Sequence, residues 1–177
     1  MDDATRAMAT WLGALAQTGV VHGADAHAGE DLAAYIVGED KLAQLRTWFS
    51  LATPSEVSRE KIAAIEVVIW MAYADRVLEP EERSLLREVV HASGLDEDAK
   101  SELVAATHDP PSLKNLPKRL TQPVLRELML ALAWELAQAD GRISRAENDF
   151  YRGLALKLEV SDERAEAIRE SVARRLS

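Results

Sequence analysis

The chain is expected to be all-α, a compact bundle of about seven to nine helices built from two pseudo-repeated helix-turn-helix units. Three observations predict this. Hydrophobic residues make up 47% of the 177 positions but aromatics only 5%, and many of the apolar positions are Ala and Leu, which favour helix over sheet. The frame Asp75-Arg76-Val77-Leu78-Glu79-Pro80-Glu81-Glu82 recurs 65 residues later as Asp140-Gly141-Arg142-Ile143-Ser144-Arg145-Ala146-Glu147. Each copy follows a segment that is apolar on nearly every side, the mark of a buried helix.

Taken in order, residues 4 to 16 predict a first helix with Trp11, Leu12 and Leu15 facing inward. The glycine-rich stretch from Thr18 to Gly29 predicts a loop, and His22 and His27 within it are expected to be exposed loop histidines, because no second pair of ligands lies nearby. From Glu30 to about Ser50, the spacing of Leu32, Tyr35, Ile36, Leu42, Leu45, Trp48 and Phe49 is helical, with Gly38 as a candidate break. Pro54 and Ser55 mark a boundary, and Ile62 to Tyr73 follows as a buried helix whose only charge, Glu66, is expected at a rim or beside a cation. After the first turn a helix runs from Pro80 to about Ala92 and closes at Ser93-Gly94. Asp96 opens a short helix from Glu97 to about Ala106.

His108-Asp109-Pro110-Pro111-Ser112 predicts a rigid linker, the seam between halves. A short amphipathic segment, Leu113 to Leu120, leads to Thr121, Gln122 and Pro123, which start the second buried helix, with Leu125, Leu128, Met129, Leu132, Trp134 and Leu136. After the second turn a helix from Arg145 to about Leu158 presents Phe150, Leu154, Leu156 and Leu158 as core candidates. Ser161 and Asp162 start the last helix. The same 65-residue shift lays Gly94-Leu95-Asp96-Glu97-Asp98 over Glu159-Val160-Ser161-Asp162-Glu163, so the repeat extends beyond the turn. The expected organisation is an N-terminal helical extension at 1–55 and a repeated helical region at 56–177, with copies at 56–107 and 121–173, forming one structural unit.

The two turns carry the candidate chemistry. In the second, Gly141 suits the left-handed residue that ends a helix, Ser144 caps the next one, and Glu147 completes a capping box. In the first, Glu79 takes the cap position, Pro80 the first helical position and Glu82 the third. Such a cap is worth about 1 kcal/mol, so Asp75, Glu82, Asp140 and Glu147 have a purely structural reading. They also have a metal reading, since Asp-Gly-x-Ile-Ser-x-x-Glu matches the back part of a calcium-binding loop. The front part is missing. Its first and third ligand positions fall on Leu136 and Gln138 in one copy and on Met71 and Tyr73 in the other. Any divalent ion (Ca²⁺, Mg²⁺ or Mn²⁺) is therefore expected to be weakly held, with several waters or shared between the two loops.

A net charge of −9 argues against nucleic-acid binding, and Arg169, Arg174 and Arg175 are expected to complement a helix C-terminus. The absence of cysteine excludes disulfides and thiolate chemistry. Asp2 and Asp3 against Arg6 do not suit an export signal, and Glu66, Glu127 and Glu135 interrupt the apolar runs, so a cytoplasmic protein without membrane insertion is expected.

With "MAYADRVLEPEERSLL" and "ELAQADGRISRAENDFYRGLA" in view, the chain from about Arg59 to Arg169 resembles the TerB-like family, the all-helical domain named for a bacterial tellurite-resistance protein. The N-terminal region of a membrane-anchored DnaJ-type co-chaperone belongs to the same group. The resemblance implies pseudo-twofold helical halves and an acidic cluster, here Asp75, Glu82, Asp140 and Glu147, suggested to bind a divalent cation. It also implies action in tellurite or metal stress through protein partners, without established catalysis. Arg76 stands where the family often has glycine, which sets a cation beside the carboxylates. Asn148 stands where the first repeat has Arg83. Three functions follow: a non-catalytic, partner-binding protein with a weak cation site, with a homodimer left open; a structural scaffold whose acids are helix caps; and, with least support, a metal-dependent hydrolase.

Overall fold

A computed structural model describes residues 30–72, 80–108, 113–138 and 145–176. These contain nine helices and no strand. They are α1 (Glu30–Val37), α2 (Glu39–Leu51), α3 (Pro54–Ala72), α4 (Pro80–His91), α5 (Glu97–Ala106), α6 (Leu116–Arg119), α7 (Pro123–Gln138), α8 (Arg145–Lys157) and α9 (Asp162–Leu176). The all-helical expectation holds, and the helix after the Pro54 boundary is longer than the apolar run suggested. It starts at Pro54 itself, whose missing N–H costs nothing there, and Thr53 Oγ1 caps it by accepting from Glu56 N–H at 3.2 Å.

α3 and α7 are the two central helices, packed on one another. Ala63, Ile65, Val67 and Ile69 of α3 and Leu125, Met129, Leu130 and Ala131 of α7 are fully buried. The order of packing repeats: α3 touches α4 and α5, which touch each other, as α7 touches α8 and α9, which also touch each other. One continuous cluster of buried residues runs from Ile36 in α1 to Val172 in α9.

Two short elements cover the central helices from outside. α6 lies on α3, with Leu113, Leu116 and Leu120 buried around it, and α1 lies on α7 and α9. α1 and α2 are separated at Gly38, which has φ 90° and ψ 151°, a backbone conformation that side chains rarely adopt.

The helix ends show the repeat most plainly. Gly94 (φ 75°) and Glu159 (φ 56°) are both left-handed and stand 65 residues apart. At Glu159 the closure is a complete Schellman motif. Glu159 N–H donates to Leu156 O at 3.1 Å and Val160 N–H to Ala155 O at 3.0 Å. Two residues beyond each left-handed position stands the next cap. Asp96 Oδ1 accepts from Ala99 N–H at 2.8 Å, and Ser161 Oγ accepts from Arg164 N–H at 3.2 Å.

Some core expectations fail. Leu156 is 81% exposed, because at helical spacing it falls on the outer face between the buried Leu154 and Leu158. Arg169 does not serve a helix C-terminus. It lies mid-helix with its guanidinium 4.9 Å from the Trp134 ring centre, donates to Asn148 Oδ1 at 2.7 Å and pairs with Glu166 at 2.6 Å.

Candidate functional site

The site predicted by the sequence lies where α3 passes to α4 and α7 to α8. The helices that flank these turns keep the predicted register: α4 opens at Pro80 and α8 at Arg145, while α5 opens at Glu97 and α9 at Asp162. Glu82 and Glu147 are each the third residue of their helix, although their side chains lie outside the described residues. Asp75 and Asp140 lie outside the described residues altogether, as do His22 and His27.

The two halves meet between the end of α3 and α8. Trp70, in the last turn of α3, stacks on Phe150 of α8 with ring centres 4.5 Å apart and planes 20° from parallel. The end of α3, from which the first turn departs, therefore rests on the helix that follows the second turn. Within the second half Trp134 meets Tyr151 edge-on at 5.0 Å, and Arg169 closes over the same indole. Aromatic pairs of this kind contribute about 0.5–1.5 kcal/mol beyond their burial, and here they hold α8 against α3 and α7.

Two residues that the sequence reading did not place in the site stand at its edge. Glu135, in the last turn of α7 and at the register position of Trp70, is only 5% exposed. Its signal in the sequence was a carboxylate interrupting an apolar run, which marks a partnered acid. Arg83 follows Glu82 directly, and its Nε is buried with no hydrogen-bond partner among the described residues. The Trp134 Nε1 donor is in the same condition. Asn148, at the register position of Arg83, is neutral and accepts from Arg169. The two frames carry equal numbers of arginines, Arg76 and Arg83 in the first and Arg142 and Arg145 in the second, but four carboxylates at 75–83 against two at 140–148.

Around the central helices, buried charges are used as structural ties. Glu60 is fully buried and accepts from Thr121 N–H, Thr121 Oγ1–H and Gln122 N–H at 2.8–3.0 Å, capping the start of α7 from within α3. Its neighbour Lys61 donates to Ser93 O at 2.7 Å at the end of α4, and burial pulls its amine below the usual lysine range. Glu66 pairs with Arg119 of α6 at 2.5 Å, the cation beside it that was one of the two expected settings. Glu127 pairs with Arg164 of α9. Tyr151 donates its hydroxyl to Ala165 O at 2.6 Å. Burial first, and then the Glu166 carboxylate, push its phenol above the ordinary value, against the pull of Arg169 and Arg164. Tyr151 also lines a cleft of about 310 Å³ between α8 and α9, together with Arg152, Asp162, Glu166 and Arg169.

Residues 98–170 match the model of the family Tellurite resistance protein TerB. This segment is TerB-like. It spans α5 to α9 and includes the second turn, with Asp140 and Glu147, whereas Asp75 and Glu82 lie before the matched residues. No curated protein and no solved structure matched the chain. Among the described residues no helix is long and apolar enough to cross a membrane, and no group of three or more His, Asp or Glu could hold a metal ion. The link between the TerB-like segment and the first turn is therefore the repeated register and the shared left-handed positions.

Proposed function

We propose that the chain is a non-catalytic TerB-like protein in which Asp75, Glu82, Asp140 and Glu147 form one acidic cluster, shared between the two turns, that weakly binds a divalent cation. It acts in the tellurite or metal stress response through protein partners in the cytoplasm. The observation that carries this reading is the Trp70–Phe150 stack, which supports a close approach of the two turns across the halves. Neither turn motif has enough oxygens for a cation by itself, so a site requires both. The ligands are carboxylates, and the chain has no cysteine, so the fitting ions are hard ones such as Ca²⁺, Mg²⁺ or Mn²⁺. Arg76 and Arg83 near the first turn lower the affinity by placing positive charge close by.

A second reading is favoured by the way this fold starts its helices. Asp96, Ser161 and Thr53 all cap with a side-chain oxygen, and the four acids fit the same task at α4 and α8. Calorimetric titration of the chelator-treated protein with Ca²⁺, Mg²⁺ and Mn²⁺, beside Asp75→Asn/Asp140→Asn, separates the two. Heat of binding at millimolar affinity or tighter that vanishes in the folded double variant supports the cation site. No heat in the wild type, with a lower melting temperature in the variant, leaves the acids as helix caps.

A further inference from the structure

A cleft of about 580 Å³ opens on the first half, lined by the first turns of α3, the cap of α5 and the end of α6. Small-molecule sites usually have about 300–1,000 Å³. The repeat shows why the cleft is open. Ile62, in its lining, stands 65 residues before Glu127, and Ala99 stands 65 before Arg164. In the second half Glu127 and Arg164 pair, and Arg164 donates to Ile36 O of α1 at 3.2 Å, so the surface is tied shut. Ile62 and Ala99 cannot form that pair. α6, only four residues long, packs on α3, and the cleft remains between it and the start of α5.

The charges of the cleft are of both signs and do not meet. Arg119 is matched by Glu66 at 2.5 Å and held by Lys114 O at 3.2 Å, so it forms a fixed, neutralised wall. Arg59 and Asp96 also line the cleft, yet among the described residues they pair neither with each other nor with another charge. Asp96 is fixed in place because its Oδ1 accepts from Ala99 N–H at 2.8 Å. The remaining lining is the apolar surface of Pro54 and Ile62 and the hydroxyl groups of Ser55 and Ser58. A simple anion would be repelled by Asp96 and a simple cation by Arg59. A short ligand that carries both charges on an apolar body meets each with its opposite.

We propose that this cleft binds a free α-amino acid with an apolar side chain. The ligand's carboxylate sits on the Arg59 guanidinium, whose parallel N–H donors match two carboxylate oxygens. Its ammonium sits on the Asp96 carboxylate, and its side chain covers Pro54 and Ile62. Arg59 and Asp96 are both exposed, so water competes for each charge and the affinity is millimolar. All of the lining except Arg119 lies before the TerB-like segment, so the site belongs to this chain's first half and is separate from the acidic cluster of the turns.

The test is titration of the isotope-labelled full chain with L-phenylalanine, followed by amide shifts, in EDTA so that no divalent ion contributes. Saturable shifts are expected at residues 55–62 and 95–97. Two truncated probes, 3-phenylpropionate without the ammonium and 2-phenylethylamine without the carboxylate, bind about tenfold more weakly, the loss of one charge-assisted contact. Arg59→Gln weakens L-phenylalanine by about the same factor. So does Asp96→Asn, which keeps the helix cap, and it leaves 3-phenylpropionate unchanged or tighter. The absence of saturable shifts at these residues overturns the proposal. Equal binding of the three probes to the wild type, which involves no substitution, also overturns it, as do folded variants that bind L-phenylalanine like the wild type.

Discussion

At the scale of single residues, the left-handed positions give the sharpest expectation. Gly94 and Glu159 occupy the same place in the two halves, but only Gly94 is free of the steric cost that a Cβ incurs there. Glu159→Gly is expected to stabilise by up to about 1 kcal/mol, and Gly94→Ala to destabilise by about 1 kcal/mol, both read from urea unfolding midpoints. Tyr151 gives a pH prediction. Its phenol is raised in the folded state, so the stability it contributes is complete below the unfolded pKa near 10 and is lost as pH rises toward the folded value. Tyr151→Phe is expected to cost about 1 kcal/mol at pH 7 through the lost bond to Ala165 O and to flatten the decline above pH 10. Lys61 has the opposite sign. Its folded pKa is lowered, so the unfolded chain binds more protons in the window up to 10.5, and stability relative to Lys61→Met rises as pH is raised through that window.

At the scale of elements, the chain shows where local pattern is sufficient and where it is not. The starts of α4, α5, α8 and α9 were legible because caps and proline are local signals, and the 65-residue register confirmed each against its copy. The packing partners of the buried charges were not legible. Glu66 and Arg119 are 53 residues apart, and Glu127 and Arg164 are 37 apart, so nothing in the local spacing pairs them. Leu156 misled because hydrophobicity alone does not say which face of an amphipathic helix a residue occupies. Glu60 was not singled out at all, although it ties α3 to the two residues just before α7 with three hydrogen bonds. Glu60→Ala leaves two part-buried N–H groups without their carboxylate and is expected to cost about 2 kcal/mol, measured by denaturant unfolding with the slope unchanged.

At the scale of the whole molecule, the repeat is what connects fold to function. Two central helices lie against each other, each followed by a turn and two outer helices, and the contact between Trp70 and Phe150 crosses from one half to the other beside those turns. The candidate ligands were legible in the sequence as residue types in a repeated frame, whereas the packing of α3 on α7, which sets how the two halves meet, was not. Residues 75–83 carry four carboxylates against two arginines and residues 140–148 two carboxylates against two arginines, so an ion in the proposed cluster is expected to be held more closely on the Asp75 side. The measurement that tests the shared cluster most directly is the amide spectrum of the isotope-labelled protein with substoichiometric Mn²⁺, whose unpaired electrons broaden nearby signals. A shared site predicts that amides of residues 73–82 and 138–147 broaden together, at the same low ion concentration, and that Asp140→Asn protects both sets. Broadening at one turn alone, or broadening scattered over the acidic surface, would contradict it.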